Sequence, residues 1–203
     1  MIKDRSRPQR IRLFRNRRLE QLTVITPRAF AAIWSVVIGL ALYASWGTAS
    51  AGMSIGLVLL GIVTWSLFEY VMHRFLFHLR MRSKIGQYVI FVMHGNHHVQ
   101  PDDPDRNMMP PIISLPWSAA IYVAFLLLFG TKGSLLFLGF AIGYVAYDGV
   151  HYACHQFPMR SPMLRQLKRH HIRHHYARQE GNYAITAIFW DWVFGTDVRV
   201  KGR

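Results

Sequence analysis

Two long stretches with almost no charge are the feature that most constrains the fold of this chain. Residues 29–68 contain no charged side chain, and residues 110–150 contain only Lys132 and Asp148. Apolar runs of about 20 residues are long enough to cross the hydrocarbon core of a bilayer. We therefore predict an all-α integral membrane protein, not a soluble bundle of buried helices. Its four transmembrane helices are expected near residues 29–47, 52–72, 111–130 and 133–150, joined into two hairpins by short links.

The basic residues predict how these helices are oriented. Of 24 lysines and arginines, all but Lys132 lie in residues 1–28, 74–109 or 156–203. Because positive charge accumulates on the cytoplasmic side of membrane proteins, both termini and the 74–109 loop are expected in the cytoplasm. Residues 1–28 would form a basic cytoplasmic arm and residues 29–203 one membrane-embedded domain. The net charge of +14 accompanies no nucleic-acid-binding motif, so no nucleic-acid partner is expected.

All eleven histidines fall in four short clusters at the predicted cytoplasmic ends of the helices. Residues 94, 97 and 98, and likewise 171, 174 and 175, have the i, i+3, i+4 spacing that shares one helix face. Residues 73 and 78 are separated by about 140° on an ideal α-helix, so this pair needs a bend or a helix end. The clusters are "HRFLFH" (73–78), "HGNHH" (94–98), "HYACH" (151–155) and "HHIRHH" (170–175).

Imidazole is the commonest side-chain metal ligand and suits iron, zinc and copper. Eleven histidines are enough to hold two metal ions with several ligands each. The single cysteine, Cys154, excludes an intramolecular disulfide and a four-cysteine metal centre. The sequence therefore predicts a cytoplasmic helical cap that carries a histidine-rich di-metal site.

The order and context of these clusters resemble the fatty acid hydroxylase/sterol desaturase superfamily of membrane di-metal oxygenases. The motifs most resemble those of the fatty acid 2-hydroxylases, over roughly residues 52–197. The matching segments are "EYVMHRFLFH" (69–78), "FVMHGNHH" (91–98), "GYVAYDGVHY" (143–152), "LKRHHIRHHYA" (167–177) and "WDWVFGT" (190–196).

The resemblance implies a centre with ten histidine ligands divided between two metals. His170 precedes the matching motif position and is interpreted as a neighbour of the ligands. One metal would take His73, His78, His94, His98 and His174. The other would take His97, His151, His155, His171 and His175.

The implied activity is O₂-dependent hydroxylation of a lipid acyl chain by a di-iron oxidoreductase. Zinc could occupy the site in purified protein, but it has no redox chemistry. A centre at the membrane edge would meet the head-group end of a lipid, which favours C2 of a fatty acid or of a fatty-acyl lipid such as a sphingolipid. The chain has no recognisable haem domain, so a separate electron donor of ferredoxin or cytochrome b5 type is expected. Its short length favours a bacterial inner membrane.

Other side chains are candidates for supporting roles around this centre. Carboxylates near the clusters would orient the ligand rings, as outer-sphere acceptors do at metal sites: Glu69, Asp148 and Asp191. Four side chains are candidates to line the substrate site: Asn96, Tyr152, Tyr176 and Tyr183. Five basic side chains are candidates to hold a polar head group: Arg74, Arg80, Arg82, Lys168 and Arg173.

Four alternative functions remain open, and the simplest of them is a non-catalytic membrane scaffold. A carotenoid ring hydroxylase has similar histidine clusters, and a sterol-type oxidase or desaturase is a further enzyme of this kind. A membrane metal transporter is a further non-enzymatic alternative. Transporters place their sites near the bilayer midplane, whereas no histidine of this chain lies in the middle of a predicted span.

Overall fold

The computed structural model describes residues 10–198, which contain helices, turns and loops and no β-strand. Two of the helices continue without interruption into π-helical segments, Met72–Phe77 after α3 and Phe91–Gly95 after α4. The α-helices are α1 (Arg17–Gln21), α2 (Pro27–Ser45), α3 (Ala51–Val71), α4 (Lys84–Ile90), α5 (Asn96–Val99), α6 (Pro111–Phe129), α7 (Gly133–Gln156), α8 (Pro162–Tyr176) and α9 (Phe189–Val193).

Three helical stretches of the described chain are long and apolar enough to cross a membrane: Pro27–Ser45, Ala51–Phe77 and Pro111–Gln156. The sequence predicted four separate spans, with a loop after residue 130. In the structure a short 3₁₀ turn, Gly130–Lys132, leads directly from α6 into α7, so the third stretch is helical over 46 residues. The all-helical, membrane-type architecture is therefore confirmed, and four crossings in two hairpins are not.

Helix α6 folds back along α7 at this turn. The hydroxyls of Tyr122 and Ser134 lie 3.2 Å apart, and the rings of Phe125 and Phe140 are 5.8 Å apart between centroids. Contacting residues are 12 apart in sequence at Tyr122 and Ser134, near the turn, and 39 apart at the other end, where the Met109 amide donates to Asp148, as expected for an antiparallel pair. Helices α2 and α3 also pack on α7, which makes α7 the central helix of the apolar bundle.

Two glycines allow α3 and α7 to cross with their backbones in contact. A β-carbon on Gly61 would lie 2.1 Å from the carbonyl oxygen of Leu136, and one on Gly139 would lie 2.0 Å from that of Val58. Small residues at such crossings let membrane helices approach closely. Trp65 packs edge-on against Phe140, with 4.9 Å between ring centroids, next to this crossing. The crossing fixes the relative positions of the two helices whose ends carry His73 and His151.

The shorter helices and the connecting loops form a cap over one end of the bundle, where α3 and α7 end and α2 and α6 begin. Residues 10–23 belong to this cap instead of extending away from it. The Arg10 guanidinium pairs with Asp103 at 2.7 Å, and Arg106 pairs with Glu20 at 2.6 Å. The Ile11 amide donates to Gln100. The basic arm predicted from the sequence thus packs against the 100–106 loop over its described part.

Candidate metal centre

Ten histidines converge in the cap as two groups of five. Within each group the ligand-type nitrogens all lie within 4.8 Å of one another. The two groups have the same members as the two ligand sets implied by the sequence resemblance. They are His73, His78, His94, His98 and His174, and His97, His151, His155, His171 and His175.

The spacing of the imidazole nitrogens fits a metal ion at the centre of each group. In the first group His94 Nε2 lies 3.1 Å from His73 Nε2 and 2.9 Å from His98 Nε2. In the second, His171 Nε2 lies 2.8 Å from His155 Nε2. Two nitrogens bound at right angles to one metal, each about 2.1 Å from it, would lie about 3.0 Å apart. The residues present therefore fit two metal ions.

The π-helical segment after α3 explains how His73 and His78 reach the same group. A π-helix closes its hydrogen bonds between residues i and i+5, so residues five apart lie on one face. His73 lies within Met72–Phe77 and His78 directly follows it. The bend expected from the sequence is thus a wider helical turn. The second π-helical segment, Phe91–Gly95, brings His94 into line with His73.

Two of the histidine clusters contribute members to both groups. His94 and His98 face the first group, whereas His97 faces the second and lies 2.9 Å from His151, Nε2 to Nε2. On α8, His174 belongs to the first group and His171 and His175 to the second. Two helical elements therefore bridge both sites, which ties the position of one group to that of the other.

Backbone carbonyls orient several of these rings through the nitrogen that faces away from the group. Nδ1 of His73 donates to the carbonyl of Tyr183 at 2.5 Å, and Nδ1 of His174 donates to that of Gly181 at 2.8 Å. Nδ1 of His151 donates to the carbonyl of Asn107 at 2.7 Å. A proton on Nδ1 leaves the Nε2 lone pair free, which is the tautomer that binds a metal.

The three predicted carboxylates make no hydrogen bond to these ten rings and accept from backbone amides instead. Glu69 accepts from the amides of Ile185 and Thr186 at 2.6 and 3.2 Å, and from the Thr186 hydroxyl at 2.7 Å. Asp148 accepts from the Met109 amide at 3.2 Å. These contacts hold the loops whose carbonyls orient His73 and His151. The carboxylates act one step further out because a buried amide also needs an acceptor.

Asp191 follows the same pattern and also explains His170. Its carboxylate accepts from the amides of Tyr183 and Ala184, both at 2.9 Å, and from the Thr196 hydroxyl at 2.7 Å. The His170 ring lies 2.9 Å from it, Nε2 to Oδ2, and both side chains are buried. His170 therefore contacts Asp191, the carboxylate that holds the loop at residues 183–184, and lies outside both groups of five, as its sequence position predicted.

Burial keeps seven of the clustered imidazoles outside the helical spans neutral. It lowers the pKa of His98 to about 4 and, with help from neighbouring histidines, lowers the pKa of His97 well below its usual range. The pKa values of other imidazoles in the cap are lowered for the same main reason: His78, His94, His171, His174 and His175. Neutral imidazoles offer lone pairs at neutral pH, so the groups are ready to bind metal without first losing protons.

An apolar cavity of about 260 Å³ lies directly beside both groups. His94 of the first group and His97 and His151 of the second line it, together with side chains such as Met93 and Ile113. A smaller cavity of about 60 Å³ between α3, α6 and α7 shares Met93 and Ile113 with it and is lined by Trp117 further along α6. The two cavities together give an apolar space that extends from the histidines into the bundle.

The predicted substrate residues separate into two kinds. Asn96 lines the larger cavity, although its amide donates to the carbonyls of Phe91 and Val92. The Tyr183 ring packs against the first group, 5.6 Å from the His174 ring between centroids. Tyr152 packs on Phe157, and Tyr176 is largely exposed. None of these three tyrosines lines the cavity beside the histidines.

The predicted head-group cations lie outside that cavity as well. The Arg74 guanidinium donates to the Tyr70 hydroxyl at 2.8 Å, Arg80 pairs with Glu180 at the surface, and Lys168 donates to the Phe157 carbonyl. Arg82 and Arg173 do not line it either.

Sequence reasoning missed Arg106 and Asn107, which do line the cavity. They follow the "QPDDPD" loop (100–105), where prolines and aspartates indicate a turn but say nothing about which way the next side chains point.

Comparison with known families identifies the segment that carries this centre. The model of the family described as fatty acid hydroxylase matches residues 58–196. That range includes all ten clustered histidines and the loops whose carbonyls orient them.

Individual relatives match this chain over different shares of their own length. A fatty acid 2-hydroxylase from Macaca fascicularis is 42% identical over 72% of this chain, which spans 40% of that protein. A dihydroceramide fatty acyl 2-hydroxylase from Arabidopsis thaliana is 34% identical over 91% of this chain and 79% of that protein. The solved structure of full-length scs7p, with only its hydroxylase domain visible, is 31% identical, covers 91% of this chain and 71% of that one, and superposes with a TM-score of 0.84.

Proposed function

The chain belongs to the fatty acid hydroxylase family, and on that premise we propose that it is an O₂-dependent membrane hydroxylase of lipid acyl chains. The reaction converts R–H, O₂, two electrons and two protons into R–OH and water. The observation that carries the proposal is the apolar cavity lined by histidines of both groups. It brings a hydrocarbon chain next to a site built for two metals, in a space without bulk water.

Two iron ions are the proposed cofactors, each held by one group of five histidines. Imidazole ligands suit iron, zinc and copper alike, so the ligand set by itself does not select the metal. Iron supplies the redox chemistry that O₂ activation needs, and zinc has none. Zinc bound to the same nitrogens would leave the protein folded and inactive.

The chain's own residues contribute position and the exclusion of water. Carbonyls of Tyr183, Asn107 and Gly181 fix the ring orientations through Nδ1. Phe77, Met93 and other apolar side chains keep the cavity dry beside the histidines. A preorganised, water-excluded site of this kind strengthens the electrostatic interactions inside it.

The position of the cavity supports hydroxylation at C2 of the acyl chain. The histidines lie at the cap end of the bundle, whereas the smaller cavity extends between α3, α6 and α7. An acyl chain whose tail occupies that smaller cavity has its C1 end in the cap and its first methylenes beside His94 and His97. Two of the named relatives are 2-hydroxylases, which supports the same carbon.

The charges around the cavity support an uncharged, amide-linked acyl lipid over a free fatty acid. Arg106 is the cationic side chain that lines the cavity, and Glu20 neutralises it at 2.6 Å. A carboxylate substrate would therefore find no lysine or arginine that lacks an acidic partner among the residues that line this space. A sphingolipid-type amide needs none, in keeping with the dihydroceramide hydroxylase among the relatives.

The electrons come from a separate donor of ferredoxin or cytochrome b5 type. The 111–156 stretch crosses the membrane twice, and both termini and the metal centre face the cytoplasm, as the distribution of basic residues predicts. A bacterial inner membrane remains our prediction for the location. The relatives from Macaca fascicularis and Arabidopsis thaliana, and a ceramide very long chain fatty acid hydroxylase from Saccharomyces cerevisiae, are eukaryotic proteins.

The test is lipid analysis in a bacterial host that makes β-carotene and is supplied with an N-acyl sphingoid base, with a ferredoxin and its reductase co-expressed. The matched control carries His94→Ala and His98→Ala. Hydrolysed lipids containing 2-hydroxy acids, above the control, are the expected result. Hydroxycarotenoid alone would replace the acyl substrate with a carotenoid ring. Metal uptake into cells that depends on the two histidines, without any oxidised lipid, would favour a transporter.

A further inference from the structure

We infer that the acyl lipid enters the metal-site cavity sideways from the membrane surface, through a mouth formed by Leu19 and Leu22 of the N-terminal segment and Ile112 of α6. This inference rests on the proposed function, because it names the path by which that substrate reaches the site. Leu19 and Leu22 precede the range that the family model matches, which begins at residue 58, and Ile112 lies inside it.

The exposure of the residues that line the cavity locates its open end. His97, Tyr147 and Asp148 at the inner end are 2–6% exposed. Leu19, Leu22 and Ile112 line the same cavity and are 47%, 46% and 54% exposed. Side chains that are both cavity-lining and half-exposed mark the rim of an opening. The opening therefore lies between the N-terminal segment and the first turn of α6.

The rim is apolar and lies at the level where a lipid would meet it. Ile112 is the second residue of α6, at the cap end of a stretch apolar enough to cross a membrane. A second depression beside it, lined by Leu22, Ile33 of α2 and Ile112, continues the apolar surface along the bundle. Exposed leucine and isoleucine side chains at this level contact acyl chains more favourably than water. An acyl lipid of the bilayer is therefore the occupant that fits.

Polar contacts behind the rim hold the N-terminal segment in place. Glu20 accepts from the amides of Leu13 and Phe14 at 3.0 and 2.8 Å and also pairs with Arg106. Arg106 donates in addition to the Ile11 carbonyl at 2.6 Å. Because Glu20 lies between Leu19 and Leu22 in sequence, these bonds set how far both leucines stand from Ile112. The segment thus determines the width of the mouth.

Two variants narrow the mouth from opposite sides: Leu22→Trp and Ile112→Trp. The matched control is Leu40→Trp, which places the same ring on an exposed face of α2 that lines none of these cavities. We would measure 2-hydroxylation of an N-acyl sphingoid base by the iron-loaded full chain in lipid nanodiscs. Each mouth variant is expected to lower kcat/KM at least tenfold with unchanged bound iron, and the control to match the unmodified protein.

A second measurement does not depend on turnover. A radiolabelled N-acyl sphingoid base with a diazirine in its acyl chain is photolysed with the unmodified protein, with and without excess unlabelled lipid. Competed labelling of peptides containing residues 17–23 and 111–113 is expected, and it would support the mouth even if no hydroxylation occurred. Competed labelling of these peptides without any hydroxylation would reject the proposed function and leave the mouth supported. Hydroxylation with normal kcat/KM in both tryptophan variants, and no competed labelling there, would overturn the inference and leave the function standing.

Discussion

His170 and His171 are adjacent on α8 and have different partners. The His171 ring faces His155 and His175 in the second group, with nitrogens 2.8 and 3.1 Å away. The His170 ring faces Asp191 at 2.9 Å. A helix turns by about 100° per residue, so neighbouring side chains point in different directions. Their sequence context is almost the same, and the difference between them is a property of the helix.

This pair gives a matched test of the metal centre. We expect His171→Ala to lower the bound metal from about two ions per chain to about one. His170→Ala should keep both ions and lower stability by about 1–3 kcal/mol, because it leaves a buried carboxylate short of one partner. Elemental analysis and thermal unfolding of the purified variants measure the two effects. Equal metal loss in both variants would contradict the assignment of His170.

Glu69 illustrates how a residue without any ligand contact supports the centre. Its two oxygens accept three hydrogen bonds from residues 185 and 186, two residues beyond the carbonyl that orients His73. Replacing a residue that supports a metal ligand from outside typically lowers metal affinity or activity 10- to 100-fold. The geometry assigns Glu69 a positioning role through the loop.

The substitutions Glu69→Gln and Glu69→Met separate position from charge. Glutamine keeps one oxygen for the Ile185 and Thr186 amides, and the Thr186 hydroxyl can reverse its hydrogen bond, so we expect metal affinity within a few-fold of the unmodified protein. Methionine leaves both amides unsatisfied and should weaken metal binding about 10- to 100-fold. Competition with a metal-binding dye measures both variants. A glutamine variant as weak as the methionine variant would mean that the negative charge itself is required.

At the scale of helices, the α3–α7 crossing is the contact that positions the histidine-bearing ends. The β-carbon that alanine would add at Gly139 meets the Val58 backbone, which cannot move aside as a side chain can. Forcing packed elements apart typically costs about 1–3 kcal/mol. The effect should reach the metal centre, because His73 follows α3 and His151 lies in the last turns of α7.

We therefore expect Gly139→Ala to lower thermal stability and to reduce metal content. Gly56→Ala is the matched control, since a β-carbon at Gly56 on α3 meets nothing within 4 Å. Replacing glycine with alanine inside a helix otherwise favours folding, so the control should be neutral or slightly stabilising. Thermal unfolding of the two variants in the same detergent tests this. A Gly139→Ala protein as stable as the control would show that the helices can separate at no cost.

At the scale of the whole molecule, the buried imidazoles link folding to pH. In the metal-free protein burial lowers the pKa of His98 to about 4, whereas the unfolded chain has the ordinary histidine value of about 6.5. The unfolded state then binds more protons than the folded state between these values. Stability is fully present above about pH 6.5 and declines as the pH falls toward 4. The other imidazoles of the cap with lowered pKa values act in the same direction.

Metal-free protein, prepared with a chelator, is thus expected to unfold at a lower temperature at pH 5.5 than at pH 7.5. His98→Gln removes one titrating group and should reduce the difference between the two unfolding temperatures. Differential scanning calorimetry in one detergent at both pH values provides the measurement. An unfolding temperature that does not change between these pH values would contradict the neutral, buried state of the rings.

The sequence by itself determined the class of the protein and the membership of its family. Charge-free runs indicate membrane helices because charged side chains are costly in hydrocarbon, a rule that acts on each residue separately. The histidine clusters predict a metal centre because ligand chemistry depends on residue type. The division of ten histidines into two groups of five came from the family resemblance, and the structure forms the same two groups.

Only the tertiary structure decided which groups surround the rings and where a substrate can reach them. The acceptors for Nδ1 of His73, His151 and His174 are backbone carbonyls. Every residue has a backbone carbonyl, so the residue type does not indicate which carbonyl will accept from a histidine ring. Glu69, Asp148 and Asp191 hold loops and make no hydrogen bond to the ten clustered rings, since a carboxylate's partner depends on what the fold places within about 3 Å. The cavity and its mouth arise between residues far apart in sequence, from Leu22 to His151. Such contacts depend on how helices pack, which local sequence patterns do not encode.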